Sequence, residues 1–198
     1  IRARARDFAR RLEREAVGDR DRQIRRAFWL ALSREPQAGE LEAALAFGTG
    51  HHGTTLGCLR ALQWIARQDR PRRILDVGTG TGVLAIAAAR AFNAPVIATE
   101  IDRASVAIAR ENVRANKTAP LATVLHTGSL SAPLIEQYAP YDLIFVNILL
   151  PVLQRLARPI VSLVAPGAHV VLSGLLPSQA LAAFARYRVL GFSLVRSE

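Results

Sequence analysis

The sequence is poor in the residues that mark a secreted, disulfide-bonded or membrane-spanning protein. It contains a single cysteine, Cys58, which excludes an intrachain disulfide and makes the reducing cytosol the expected compartment. No apolar run reaches the roughly 18 residues that a membrane-spanning helix needs. No basic segment is followed by an apolar stretch of the kind found in secretory signals. The sequence therefore predicts a cytoplasmic protein that has no membrane partner.

Methionine is absent, and Lys117 is the only lysine among 26 basic residues. A chain that starts at Ile1 without any methionine is expected to be a fragment or a processed product. Acidic residues number only 16, so the net charge is +10 and the isoelectric point is about 11.3. This excess indicates either an anionic partner, with RNA or a ribonucleoprotein foremost, or the arginine-rich codon usage of a GC-rich genome. Charge alone leaves both explanations open.

The 198 residues suit one domain with a modest extension, and 51% of them are hydrophobic. Two compositions meet near residue 40. Residues 1–39 are rich in arginine and acids, carry apolar residues at helical spacing and end around Pro36, which breaks helices. We therefore predict an arginine-rich helical extension over residues 1–39 and the main domain over residues 40–198.

From residue 73 onward, short apolar runs alternate with longer segments of helical spacing. The predicted strands cover residues 73–77, 95–99, 121–126, 141–147 and 169–173, and a sixth is expected to start within 192–196. The predicted helices cover residues 83–92, 103–116, 149–164 and 177–190. This alternation predicts a doubly wound α/β fold, whose mostly parallel sheet is covered by helices on both faces. Ligands of such sheets bind beyond the carboxyl ends of the strands.

A glycine-rich turn, Asp-Val-Gly-Thr-Gly-Thr-Gly over residues 76–82, joins the first predicted strand to the first predicted helix. Its glycines, Gly78, Gly80 and Gly82, allow positive φ angles and a close approach of the backbone to a ligand. Dinucleotide-binding turns read G-x-G-x-x-G. Here Val83 or Ala85 stands where the third glycine belongs, which argues against NAD.

An acid, Glu100, ends the second predicted strand. A carboxylate at this place can accept hydrogen bonds from both hydroxyls of a ribose, so the pattern predicts nucleoside binding. Asp102 is expected to cap the following helix. By topology, Ile101 would cover one face of the adenine, and Ser129, after the third strand, would lie beside it.

Residues 47–55 read Phe-Gly-Thr-Gly-His-His-Gly-Thr-Thr. Together with the glycine-rich turn, the run Thr-Glu-Ile-Asp at 99–102 and the run Val-Asn-Ile-Leu at 146–149, this segment resembles the PrmA family. Members of that family methylate the eleventh protein of the large ribosomal subunit. The resemblance covers roughly residues 40–198, and its first segment is specific because general methyltransferases lack it. It implies an enzyme that depends on S-adenosylmethionine and methylates lysine side-chain or N-terminal amines of a ribosomal protein.

The resemblance also implies contacts to the cofactor S-adenosylmethionine from Thr55, Gly78, Glu100 and Asn147. Asp76 is expected either to order the methionine part of this cofactor through water, or only to bond amides of the turn. Both roles stay open.

On the acceptor side, the resemblance implies that residues 49–51 form a lid over the cofactor and the target amine. Thr49 and His51 are therefore candidate catalytic residues, and His51 is expected to be either a catalyst or a donor that orders the loop. Asn147 is implied to position the attacking nitrogen. No group of residues shows the spacing of metal ligands, so no metal site is predicted.

Two departures from the family bear on substrate recognition. Family members carry a separate N-terminal domain that grips the ribosomal substrate, and they end in a further strand. The present chain is expected to lack both. Two alternatives therefore stay open. One is methylation of another amine, in a different translation protein, an RNA or a small molecule. The other is a cofactor-binding docking module without activity.

Overall fold

The computed structural model describes Glu35 and residues 51–197. Apart from Glu35, the predicted extension over residues 1–39 lies outside the described residues. The chain divides into two compact units, Ile1–His52 and Gly53–Glu198. The predicted domain boundary near residue 40 stays a prediction.

Helices and strands alternate along the described chain, as the sequence predicts. They are α1 (His51–Gln68), β1 (Ile74–Val77), α2 (Val83–Phe92), β2 (Val96–Glu100), α3 (Arg103–Ala115), β3 (Ala122–His126), α4 (Pro133–Tyr138), β4 (Tyr141–Asn147), α5 (Leu150–Leu163), β5 (Val164–Ser173) and, after a 3-10 turn at Pro177–Gln179, α6 (Ala180–Arg188). The five described strands form one sheet in the order β3-β2-β1-β4-β5, and every pairing is parallel. The predicted doubly wound α/β fold is confirmed.

The core lies at the centre of this sheet. All four residues of β1 are buried, and residues 143–146 of β4 have no exposed surface. Continuous apolar strands of this kind are typical of parallel sheets with both faces covered. Helix α5 adds Leu153, Ala157 and Ile160, which are fully buried and recur at helical spacing. The central strands are thereby held rigidly, which fixes the positions of the residues at their ends.

The predicted sixth strand is wrong, because residues 192–197 form no strand. Phe192 instead folds back after α6: its N–H donates to the Tyr187 carbonyl over 3.2 Å, and the two rings pack edge to face with centroids 5.5 Å apart. The outer edge of β5 carries no further strand in the described sheet. Local alternation of apolar residues does not determine whether a segment pairs with such an edge.

Two helices, α1 and α4, were not predicted. The buried side chains of α1, Cys58, Leu62 and Ile65, follow a helical spacing that is visible in the sequence. None of the helices in the described part of the chain has the length and apolarity to cross a bilayer.

The register of the strands brings their carboxyl ends to one edge of the sheet. Val77 of β1 lies opposite Thr99 of β2 and Val146 of β4. The last residues of the other strands also pair, Glu100 with His126 and Asn147 with Ser173. The glycine-rich turn, which follows Val77, therefore lies between Glu100 and Asn147.

Candidate active site at the carboxyl edge of the sheet

The glycine-rich turn has three left-handed residues at alternate positions: φ is +70° at Gly78, +57° at Gly80 and +87° at Gly82. The Thr79 N–H donates to the Thr99 carbonyl over 2.9 Å, which ties the turn to β2. Gly82 is the N-cap residue of α2 and makes no side-chain cap. The N-terminus of a helix favours an anionic group in front of it.

The space beside the Cα atom differs between Gly78 and Gly80. A Cβ on Gly78 would lie 2.6 Å from Ile148 Cγ2, so the protein itself occupies that space. A Cβ on Gly80 would have no atom within 4 Å. Gly80 therefore faces open space at the edge where ligands of this fold bind.

Glu100 joins this turn to the start of α3. Its Oε2 accepts from the Gly80 N–H over 2.9 Å, and its Oε1 accepts from the N–H groups of Ile101 (2.8 Å) and Asp102 (3.0 Å). A carboxylate has about four acceptor positions, so these three bonds leave one free. The predicted contact to both ribose hydroxyls would require one of the backbone bonds to be exchanged, and it stays a prediction.

Asp76 is fully buried at the base of the turn. Its Oδ2 accepts from the Thr79 hydroxyl over 2.5 Å, whereas its Oδ1 has no hydrogen-bond partner. The pKa of Asp76 is raised to about 6. Burial is the main cause, the hydrogen bonds from Thr79 and from the Ala85 amide lower the pKa, and the charge of Glu100 raises it. A buried acceptor without a donor is costly. A cationic or N–H-bearing ligand would remove that cost.

Asn147, at the end of β4, carries the second unpaired oxygen. Its Oδ1 is buried and has no partner, and its Nδ2 donates to the Thr55 hydroxyl of α1 over 3.3 Å. Asp76 and Asn147 are the only described residues with a buried side-chain polar atom that lacks a partner. Asp76 lies on β1 and Asn147 on the neighbouring strand β4, and the two strands end at the same edge of the sheet.

Part of the loop that was predicted as a lid over residues 49–51 is helical, which corrects the sequence interpretation. His51 is the first residue of α1, and Thr55 lies in the second turn of that helix. Thr49 lies outside the described residues, and the proposed lid role of Thr49 and His51 stays a prediction. Sequence reasoning missed the helix because the glycines at 48, 50 and 53 favour a loop.

The adenine side of the predicted site contains Ile101 and Ser129. Ile101 is 73% exposed although it is apolar, and a Cβ on Gly128 would lie 2.9 Å from its Cδ1, so the two residues face each other closely. Ser129 is exposed, and its hydroxyl accepts from the Ser131 N–H over 3.1 Å. His126, which the apolar pattern of its strand would place in the core, is exposed and places Nε2 3.0 Å from the Ile101 carbonyl oxygen. The contact holds the segment that follows Glu100.

The predicted cap of α3 is confirmed. Asp102 Oδ2 accepts from the Ser105 N–H over 2.7 Å, and this hydrogen bond is the main cause of a lowered pKa at Asp102. In the part of the chain that the structure describes, no three His, Cys, Asp or Glu side chains lie close enough to hold a metal ion.

The site fits a family that is recognisable over most of the chain. The family model of the ribosomal protein L11 methyltransferases (PrmA) matches residues 28–198. This chain belongs to the PrmA family. The ribosomal protein L11 methyltransferase of Rhodopseudomonas palustris (strain BisB5) is 53% identical to it over 157 residues, which are 79% of this chain and 53% of that protein.

Two solved structures extend the likeness to PrmA proteins and beyond. The ribosomal protein L11 methylase of Lactobacillus delbrueckii subsp. bulgaricus has a TM-score of 0.66 at 28% identity, over 75% of each chain. An RNA methyltransferase of Salinibacter ruber, solved with S-adenosyl-L-homocysteine, has a TM-score of 0.51 at 25% identity, over 59% of this chain and 73% of that one. The present chain spans about half the length of the curated relatives that it matches.

Proposed function

We propose that this chain is an S-adenosylmethionine-dependent N-methyltransferase that acts in the cytoplasm on amines of ribosomal protein L11, either lysine side chains or the N-terminus. The observation that carries the proposal is the pair of buried oxygens without partners, Asp76 Oδ1 and Asn147 Oδ1, on the two strands beside the glycine-rich turn. One acceptor suits the ammonium group of the cofactor, and the other suits the amine of the substrate. Membership of the PrmA family supports the choice of substrate.

The cofactor would lie along the glycine-rich turn. Glu100 would accept from its ribose, the open face of Gly80 would take its amino-acid part, and Asp76 would face its ammonium group. Ile101, exposed and apolar, would cover the adenine, with Ser129 beside it. Each of these residues stands at the carboxyl edge, where nucleosides bind in such sheets.

When bound, S-adenosylmethionine supplies a sulfonium methyl group that passes to a neutral amine as the carbon–sulfur bond breaks, with the remaining proton lost to water. The role of the protein is alignment, and good alignment contributes about 7–11 kcal/mol to such reactions. Lysine titrates near 10.4 in water, and a desolvated pocket lowers that pKa. Asn147 Oδ1 accepts one amine N–H and so aims the nitrogen lone pair at the methyl group.

The test is transfer of a labelled methyl group from S-adenosylmethionine to purified ribosomal protein L11, followed by mass spectrometry of the labelled peptide. We expect label on a lysine or on the N-terminal amine of L11. Total RNA and a fraction of small amines serve as competing acceptors. Label in either of them, with none in L11, would overturn the substrate assignment. Cofactor binding without transfer to any acceptor would favour a docking module instead.

A second proposal concerns the opposite, amino-terminal edge of the sheet, which would contact the phosphates of RNA or a ribonucleoprotein. Arg70 and Arg72 line a cavity of about 350 Å³ there, together with Phe92 and Asn93. Arginines beside an aromatic ring suit a nucleotide. Binding of ribosomal RNA should weaken steeply with salt, and the Arg72→Ala variant should reduce the slope by about one. Equal salt dependence of RNA binding by the wild-type protein and the Arg72→Ala variant would show that Arg72 makes no phosphate contact.

A further inference from the structure

We propose that Thr55 is a positioning residue that fixes which end of the Asn147 carboxamide faces the substrate amine. This inference rests on the proposed function, and it goes beyond the cofactor contact that the resemblance implies for Thr55. The geometry is a single hydrogen bond between residues 92 positions apart: Asn147 Nδ2 donates to Thr55 Oγ1 over 3.3 Å. The bond leaves Asn147 Oδ1 as the atom without a partner.

A carboxamide has two ends of nearly equal size, one a donor and one an acceptor. Rotation by about 180° exchanges them at little steric cost, so the neighbours decide which end faces the site. An amine N–H needs an acceptor, and the Nδ2 end would instead present a second donor to it. The orientation of Asn147 therefore decides whether an amine can bind with its lone pair free.

Thr55 holds the nitrogen end through its Oγ1, which accepts from Asn147 Nδ2 over 3.3 Å. While that bond is made, Nδ2 faces α1, and Oδ1 is the end of the carboxamide that is left without a partner. Thr55 is half-buried, which limits competition from water.

The backbone on both sides of this contact is fixed. Ser173, which pairs with Asn147 in the sheet, donates its hydroxyl to the Thr54 carbonyl over 3.0 Å and so ties α1 to the end of β5. Ile148 is enclosed between two glycines of positive φ. A Cβ on Gly78 would lie 2.6 Å from its Cγ2, and one on Gly174 would lie 2.5 Å from its carbonyl oxygen.

These contacts place a hydroxyl from α1 and a carboxamide from β4 in one defined arrangement. Neither residue alone specifies the orientation: Asn147 supplies the reacting-site acceptor, and Thr55 determines its direction. Losing Thr55 should thus affect methyl transfer through Asn147 and leave the cofactor site intact.

The experiment compares wild type with Thr55→Val, Thr55→Ser, Asn147→Ala and the double variant Thr55→Val/Asn147→Ala. Turnover is measured with ribosomal protein L11, and the Kd of S-adenosylhomocysteine is measured by calorimetry. We expect Thr55→Val to lower kcat by about 10- to 100-fold with the Kd within about threefold of wild type, and Thr55→Ser to recover most of the loss. The double variant should be no more than about twofold slower than Asn147→Ala, because both changes remove one shared interaction.

Thr118→Val is the matched control, since the buried Thr118 hydroxyl donates to the Val113 carbonyl over 3.1 Å at the opposite edge. It should lower the melting temperature and leave kcat unchanged. A Thr55→Val variant that weakens S-adenosylhomocysteine about tenfold with unchanged kcat at saturation would overturn the inference in favour of a cofactor contact. Multiplicative losses in the double variant would also overturn it.

A measurement without substrate separates this inference from the proposed function. In the NMR spectrum of the wild-type protein, the Asn147 side-chain amide protons, assigned by their loss in Asn147→Ala, should exchange slowly with water. Faster exchange in Thr55→Val and wild-type exchange in Thr55→Ser would support the inference even if L11 is not the substrate. Unchanged exchange in Thr55→Val would contradict it, whatever the activity.

Discussion

The polar groups at the two edges of the sheet differ in whether they have hydrogen-bond partners. At the amino edge the polar groups are paired: Oδ2 of the half-buried Asp142 accepts from the N–H groups of Arg72 (2.8 Å) and Arg73 (3.0 Å), and the hydroxyl of the buried Tyr141 donates to the Ile135 carbonyl over 2.9 Å. At the carboxyl edge, Asp76 and Asn147 each keep one buried oxygen without a partner.

The difference indicates that the polar groups at the carboxyl edge lower the stability of the fold and are suited to ligand binding. Unpaired buried acceptors cost about 1–3 kcal/mol each, and such sites persist where a ligand completes them. The hydrogen bonds of Asp142 and Tyr141 at the amino edge, in contrast, are of the kind that supports the fold. Substitutions of the same type should therefore affect stability at one edge and ligand binding or turnover at the other.

The largest effect is expected at Asn147. We predict that Asn147→Ala lowers kcat by about 100- to 1000-fold, the loss seen when a single positioned polar group is removed from an active site, and keeps the Kd of S-adenosylhomocysteine within about fivefold of wild type. Steady-state kinetics and calorimetry measure the two quantities. Asn116→Ala, which removes a buried bond to the Asn112 carbonyl, is the control and should lower only the melting temperature. Equal losses of binding and turnover in Asn147→Ala would contradict the assigned role.

The next effect concerns Asp76, whose pKa is raised from 3.8 to about 6 by burial. The folded protein then binds the proton more tightly than the unfolded chain, so the free energy of unfolding falls as pH rises from about 4 to about 6. This rise in pKa corresponds to about 3 kcal/mol at neutral pH. Asp76→Asn should therefore be more stable than wild type at pH 7.5 by up to about 3 kcal/mol, with no gain below pH 4, in urea unfolding curves.

Asp142→Asn should have the opposite sign, a loss of about 1 kcal/mol, because it weakens charge-assisted bonds to two amides. Asp76→Asn should also bind S-adenosylmethionine more weakly, and wild-type binding should strengthen as pH rises through about 6. A loss of stability in both asparagine variants would show that the two edges do not differ.

A smaller effect is expected from glycines. Gly80 and Gly167 both have positive φ, +57° and +76°, and at both a Cβ would have no atom within 4 Å. Alanine at either should cost about 1 kcal/mol of stability. Only Gly80→Ala should weaken S-adenosylhomocysteine, by at least about tenfold, because only its Cβ would enter the cofactor space. Equal affinities of the two variants in calorimetry would place the cofactor elsewhere.

The smallest effect is expected for Tyr141→Phe. Tyr141 is fully buried, and burial raises its pKa to about 12, so it is a neutral donor. Loss of its bond to the Ile135 carbonyl should lower the free energy of unfolding by about 1 kcal/mol. The Kd of S-adenosylhomocysteine should not change; an altered Kd would mean that the two edges are coupled.

Features set by short stretches of chain could be predicted from the sequence. These features depend on residues only a few positions apart in the sequence. They are the five strands, the glycine-rich turn, the carboxylate at the end of β2 and the Asp102 cap. Features that depend on distant partners could not be. The bond between Thr55 and Asn147 joins residues 92 positions apart. The predicted sixth strand was wrong because local alternation does not determine whether a segment pairs with a distant strand.

The carboxyl edge is most directly tested as a nucleoside site by titrating the purified protein with S-adenosylhomocysteine in a calorimeter, alongside Glu100→Ala. The wild-type protein should bind with saturable heat, and Glu100→Ala should bind at least about tenfold more weakly, with melting curves to show that it folds. No heat and no melting shift for the wild-type protein would contradict the account.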